Sequence, residues 1–278
     1  MSTLITTEQE MLAYMPNTFT TVEGENNLYE KCTVFLDQAE VLLEEMMVSP
    51  ALLKTEEYIT ALPYGKWFVV LHALYLALPF LDLVLTANGF GIVNSSDVVP
   101  ASKDRVDRLS DMLLKQRDNT LCALERELLP IVGWQESRQF KELTQTMYGE
   151  LRNLYALSGN KETDLIDFYR KTKPALISLE KRLTDHCFGQ EVMDSLRKSA
   201  MLGWIDNDNL RVSVARALVA EETRIFNDPK HRANMASLID IIRKNPESFP
   251  EWATSDFGKY YENPVYYENK KEKGGYWW

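Results

Sequence analysis

With 278 residues, 45% of them hydrophobic, the chain can bury one large core or two smaller ones, and that apolar content argues against intrinsic disorder. Twelve glycines and eleven prolines are too few for a loop-rich all-β chain. The net charge of -10 is concentrated in residues 1–60, where eleven acids face only Lys31 and Lys54, and such a surface repels phosphate, which disfavours direct nucleic-acid binding.

The ordinary account of those acids is a solvated helix face. Cys32, Cys122 and Cys187 are far apart, form no CxxC pair and are odd in number, which predicts buried thiols in a reducing compartment rather than a disulfide framework. The start, MSTLITTEQEML, lacks a basic region followed by an apolar run, so no secretory signal is expected.

In chain order, the first strong element is a helix from Leu28. Its apolar positions Leu28, Cys32, Phe35, Leu36, Ala39, Leu42, Leu43 and Met46 advance in steps of three and four. The most apolar stretch, Trp67 to Leu81, is shorter than the ~20 residues of a membrane span, and it contains His72 and Pro79. It predicts a buried helix from about Lys66 to Leu85, kinked or ended at Pro79, with His72 as a satisfied core residue. The segment ANGFGIVNSSDVVPAS follows. Its Asn88-Gly89 and Gly91 are turn residues, and Ile92-Val93 with Val98-Val99 predict a small strand pair or a packed loop. Ser102 then stands where an N-cap belongs, opening a helix that ends near Pro130.

Beyond Pro130 the pattern predicts a helix from Arg138 to Leu157, closed by Ser158-Gly159. A second runs from Asp164 to Cys187 and is bent or split at Pro174. A third covers Gln190 to Leu202 and stops at Gly203. Asp206 or Asp208 would cap the next, which carries Val212, Ala215, Leu218, Val219 and Phe226. A last helix holds Met235, Leu238, Ile239 and Ile242, before Pro246 and Pro250 break helicity. The expected fold is therefore all-α: a multi-helix bundle in two layers or lobes, with a short irregular or two-stranded element near 88–101 and an extended C-terminal tail. The expected divisions are 1–130, 131–250 and an aromatic tail at 251–278.

No motif for catalysis stands out. GxxxxGK[ST], GxGxxG after a strand, GxSxG and HExxH are all missing from the sequence. His72, His186 and His231 are too widely spaced for a local ligand set, and the adjacent His186 and Cys187 point about 100° apart on a helix. Asp206 to Asn209 lacks the fifth, sixth and twelfth residues of a calcium loop, so helix capping is the better account. Glu44-Glu45 and Glu221-Glu222 read as solvated acids. No enzyme, metal site or cofactor is predicted.

The chain ends YYENPVYYENKKEKGGYWW. Its aromatics either complete the molecule's own core or anchor it to another surface, where large aromatics act as hot spots. The candidate contact residues are Tyr260, Tyr261, Tyr266, Tyr267, Tyr276, Trp277 and Trp278. Phe90 and Ile92 join them if the GFGIV segment is a contact loop rather than a plug in its own core.

The run LALPFLDLVLTANGFGIVNSSDVVPASKDRVDRL, with the terminal ENKKEKGGYWW, resembles an uncharacterised family encoded in prophages of gut anaerobes, itself similar to head–tail connector (adaptor) proteins of tailed phages. The likeness covers about Leu76 to Leu109 and Glu268 to Trp278. It implies a helical virion protein without enzymatic activity that binds portal protein or neighbouring virion subunits. It also implies a homo-oligomer in the particle, and residence in the host cytoplasm during assembly. The chain is longer than a minimal helical adaptor, which puts the ring geometry in doubt. Two other roles stay open: a head- or tail-completion protein, and a cellular helical protein-binding module, which a concave apolar groove would favour.

Overall fold

In the computed structural model the three-and-four spacing that begins at Leu28 becomes a helix over Leu28–Met46. The structure describes residues 2–15, 28–81, 83–86, 89–92, 102–159, 164–203, 205, 209–228, 230–232 and 234–262. The described chain runs through α1 (Glu8–Tyr14), α2 (Leu28–Met46), α3 (Pro50–Leu53), a 3-10 turn at Glu56–Tyr58, α4 (Leu62–Ala77) and a 3-10 turn at Leu78–Phe80. Two strands follow, β1 (Leu83–Thr86) and β2 (Gly89–Ile92), and then the long α5 (Lys103–Leu128). The second half holds α6 (Val132–Gln135), α7 (Arg138–Leu143), α8 (Leu151–Ser158), α9 (Leu165–Leu183), a π-helical turn at Thr184–Phe188 and α10 (Gln190–Leu202). It closes with α11 (Leu210–Asn227), α12 (Met235–Lys244), α13 (Pro250–Thr254) and α14 (Asp256–Glu262). The fold is all-α, a multi-helix bundle with one small antiparallel ribbon.

Helix α4 is the centre of the first half, lying against both α2 and α5. Phe68 through Leu74 are buried without interruption, so this stretch of the helix is apolar on every side, while Trp67 just before it is exposed. That explains why the most hydrophobic run in the sequence shows no amphipathic stripe. Among the described residues no helix is long and apolar enough to cross a membrane. Proline at position 79 ends the regular helix, as expected, and Leu78–Phe80 becomes a single 3-10 turn.

The second half packs α8 against α9 and α11, α10 against α11, and α13 against α10 and α12. One contiguous buried cluster runs from Leu4 to Trp252 and crosses residue 130. Trp134 joins the two halves there. Its buried indole N–H donates to the Met47 carbonyl over 2.7 Å, and its ring meets Phe140 edge-on at 5.2 Å.

Five features differ from the sequence expectation. The helix expected over Arg138–Leu157 is two helices, α7 and α8, because Met147 N–H leaves the helical ladder and donates to the buried Glu180 carboxylate over 2.7 Å. The chain then doubles back so closely that a β-carbon on Gly149 would lie 2.1 Å from the Leu143 carbonyl oxygen. Of the bend or split expected at Pro174, the split does not occur: helix α9 runs through it, since the lost N–H costs one hydrogen bond while Leu176, Leu179 and Leu183 beyond it are buried. Helix α11 is capped by Asn209, whose side chain accepts from Arg211 N–H over 2.9 Å, and not by Asp206 or Asp208, which lie outside the described residues. The strand pair comes earlier than Ile92-Val93 and Val98-Val99: Leu83 pairs with Ile92 and Thr86 with Gly89, and residues 93–101 lie outside the described set.

The fifth difference concerns the acidic first sixty residues. Glu40 is not solvated. Its buried carboxylate accepts from Ser2 Oγ (2.5 Å), Thr3 N–H (2.8 Å) and Leu4 N–H (2.6 Å), while Leu4 and Ile5 sink into the core. Lys54 Nζ adds a bond to the Thr3 carbonyl. A carboxylate that collects several N–H and O–H donors is well satisfied despite burial, so this acid ties residues 2–5 to α2.

Candidate interaction surface

Charged groups inside the bundle are the first place to look for chemistry. Arg117 and Asp118 of α5 are both buried. The guanidinium donates to Asp118 Oδ1 (2.6 Å) and to Asp164 Oδ1 (3.0 Å), and its third nitrogen lies 3.4 Å from His72 Nδ1 on α4. Asp118 Oδ2 accepts from Leu165 N–H (3.1 Å), and Asp164 caps α9 by accepting from Asp167 N–H (2.9 Å). The cluster thus fastens the N-terminus of α9 to α5 and α4. Burial, helped by the Arg117 charge, pushes the His72 pKa down to about 4, so the ring is neutral and accepts from Arg117. Burial opposes ionisation of Asp164, yet the Arg117 charge and two hydrogen bonds hold its pKa below the usual carboxylate range.

Two further acids are sealed in. Glu180 accepts from Met147 N–H and from Arg197 Nε at 2.8 Å. Glu222, expected to be solvated beside Glu221, is fully buried, and neither carboxyl oxygen has a hydrogen-bond partner. Adjacent residues on a helix point about 100° apart, so Glu221 faces His231 and Arg224 while Glu222 faces the core. Burial, reinforced by the nearby Glu180 charge, raises the Glu222 pKa well above the ordinary value. Glu125 behaves alike: burial and then the Glu150 charge raise it, and Leu151 N–H donates to it over 3.3 Å. Burial also pushes the Cys32 thiol up to about 11 and raises Cys187, the opposite of an activated nucleophile. Among the described residues no group of three or more His, Cys, Asp or Glu is placed to hold a metal ion. The buried charges brace helices.

The outside of the bundle has more to offer. Leu52, Ile59, Trp67 and Val132 are between 42% and 67% exposed. Leu52, Glu56, Glu57, Tyr58 and Gly133 line a shallow depression of about 790 Å³, with Ile59 and Val132 next in sequence to its lining. Apolar side chains flanked by Glu56 and Glu57 make a surface suited to a partner that is both apolar and basic. A second concavity, about 630 Å³, lies among α7, α9 and α10. Phe140 and Ile177 supply its apolar lining; Lys141, Lys181 and Lys198 bring positive charge, Asp185 negative charge, and Arg197 is paired with Asp194 and Glu180.

Of the contact residues expected from sequence, Phe90 and Ile92 fall in β2, one residue apart and therefore on one face of the ribbon. The ribbon starts just after Phe80, which is exposed and stacks on Phe35 of α2 at 5.6 Å. Tyr260 and Tyr261 are in α14, 60% and 40% exposed, and Tyr261 leans on the buried Trp252 at 5.7 Å. The chain is helical as far as Glu262, whereas Tyr266, Tyr267, Tyr276, Trp277 and Trp278 lie outside the described residues. The apolar patch around Leu52 and Val132 has no signal in the sequence. Val132 and Ile59 look like core residues there, and only packing shows that they are left out.

Fold and surface together define a helical scaffold whose buried charged groups brace the core and whose outer face carries exposed apolar residues. The model of a family of unknown function (DUF6712) matches residues 22–142, a span that holds α2 to α5, the ribbon and the Leu52–Val132 patch. No curated protein and no solved structure matches the chain.

Proposed function

We propose that this chain is a structural subunit of a tailed-phage particle, a head–tail connector (adaptor) that binds portal protein or neighbouring subunits through its surface loops and C-terminal segment. One observation carries the proposal: Leu52, which lines an acidic depression, and Ile59 and Val132, each next in sequence to its lining, stay exposed on a molecule whose core holds dozens of well-buried apolar residues. Burying such side chains against a partner would contribute about 25 cal/mol per Å² of apolar area, before the cost of association. The all-α architecture and the bracing role of the internal charges support the same proposal. The resemblance of the Leu76–Leu109 and Glu268–Trp278 segments supplies the phage setting.

The test is co-expression with a tailed-phage portal protein taken from the genome that encodes this chain. Co-elution of the two proteins, lost in an Ile59→Asp/Val132→Asp variant that keeps its helical circular dichroism, is the expected result. Failure of the unmodified chain to co-elute with portal would overturn the proposal. A second reading, a helical protein-binding module, draws on the 630 Å³ groove, where Phe140 and Ile177 lie with three lysines against Asp185 and Asp194, a lining suited to an acidic amphipathic peptide. Capture of such a peptide, blocked by Ile177→Asp, together with no affinity for portal, would favour it.

A further inference from the structure

We propose that the linker between α7 and α8 is a proton-controlled latch: it stays docked while the buried carboxyl pairs Glu180–Glu222 and Glu125–Glu150 each retain a proton, and it opens locally when those protons leave. Nothing in the latch depends on the assembly role proposed above. The linker has a feature that connecting segments rarely show. Thr146, Met147, Tyr148, Gly149 and Glu150 are all buried although they form no helix or strand. Their backbone groups therefore depend on side chains for partners.

Neighbouring helices supply those clamps. Glu180 of α9 accepts from Met147 N–H over 2.7 Å. Glu125 of α5 accepts from Leu151 N–H over 3.3 Å, at the point where the linker enters α8. The Tyr148 hydroxyl donates to the Val219 carbonyl of α11 over 3.1 Å and lies 2.9 Å from Thr223 Oγ1. Asn153 of α8 closes the turn by donating to the Met147 carbonyl over 2.9 Å.

Each carboxylate clamp has a second acid beside it. Glu222 stands on the same turn of α11 that holds Tyr148, and both its oxygens lack partners. Facing it are Glu180 from α9, Arg197 from α10 and Tyr148 from the linker. Arg197 is already committed to Glu180 and Asp194. One guanidinium thus stands before a pair of buried carboxyls, and the pair is stable only if it keeps a proton. Glu125 repeats the arrangement. One of its oxygens is unpartnered, and Glu150 of the linker is its acidic neighbour. Arg126 and Cys122 on its own helix and Tyr169 of α9 are the other ionisable groups near it.

The docked linker keeps water from these acids, so its state and theirs are coupled. When it lifts, Met147 leaves Glu180 and Tyr148 leaves α11. Water then reaches the carboxyls, and their pKa values return toward the ordinary 4.5. Opening releases one proton from each pair. Below about pH 4.5 the protons are held in both states and the latch is tightest. Above it the open fraction rises about tenfold per pH unit for each proton released, until the closed-state pKa is reached. The same movement alters the 630 Å³ concavity, because Thr144 and Gln145 of the linker and Arg197 all line it.

Amide hydrogen exchange of the full-length chain, read over several pH values and corrected for the intrinsic rate at each, tests this. Amides of residues 147–151 should exchange faster than those of residues 68–74 in α4, the mark of local rather than global opening. Their protection should fall by about tenfold per pH unit or more from roughly pH 5 upward. Glu125→Gln with Glu222→Gln, which leaves neither proton to lose, should make that protection independent of pH. Tyr148→Phe should lower linker protection about fivefold at every pH and keep the slope of the parent. Linker amides as protected as those of α4, protection in the parent that ignores pH, or a slope that survives the double replacement would each overturn the latch. The first two are read on the unmodified protein, so they decide the matter even if a variant does not fold.

Discussion

Replacing Glu222 by Gln should stabilise the protein at neutral pH and change how its stability depends on pH. The side chain is wholly buried on α11, both carboxyl oxygens lack hydrogen-bond partners, and the nearest charges include the Glu180 carboxylate. Its pKa is raised well above 4.5, so the folded protein keeps a proton that the unfolded chain releases above about pH 4.5. The stability tied to that proton is complete below pH 4.5 and is lost steadily as pH rises toward the folded pKa. The slope over that window is about 1.4 kcal/mol per pH unit for one proton. Glutamine cannot ionise in either state, so the Glu222→Gln variant loses that slope. Its advantage over the parent should therefore grow with pH, by up to about 1.4 kcal/mol per unit, until the folded pKa is reached. Urea unfolding of both proteins at several pH values, followed by far-UV circular dichroism, reads this out. Parallel pH profiles for parent and variant would mean that Glu222 is charged in the folded state, and the account of this core would be wrong.

Two more outcomes are expected. His72, held neutral with a pKa of about 4 against 6.5 unperturbed, makes stability fall as pH drops from 6.5 to 4, by about 3 kcal/mol. His72→Gln should flatten that acid limb in the same unfolding measurement, and an unchanged limb would count against it. Gly149→Ala should destabilise by about 1–3 kcal/mol, because its β-carbon would meet the Leu143 carbonyl at 2.1 Å and push α7 from α8; an unchanged melting temperature would contradict that packing.

Much of the bundle was legible because local chemistry and tertiary demand agree there. The period from Leu28 to Met46, Ser102 before α5, and Gly203 after α10 all mark element ends that the structure keeps. Where the helix break and the buried acids escaped the expectation, the deciding partner is distant in sequence. The break between α7 and α8 depends on Glu180, more than thirty residues on. Glu40, Glu125 and Glu222 look like any other acid on an amphipathic helix until the neighbours that bury them are known. Arg117 and Asp118 sit in a charged stretch that reads as a wet helix face, yet Asp164, His72 and Leu165 enclose them. The exposed apolar surface was only partly legible. Aromatic composition pointed to Tyr260 and Tyr261, which are exposed. It gave no hint of Leu52, Ile59 and Val132, because an apolar side chain carries no mark saying that the core has no room for it.

Sequence alone determined the class of this protein: hydrophobic periodicity, caps and proline positions act over a few residues, and they suffice for helices and their ends. Tertiary structure decided which charges are buried and which apolar groups are left outside. Those are properties of a whole packed surface, set by desolvation and by which helix lies against which, and no window of neighbouring residues contains them.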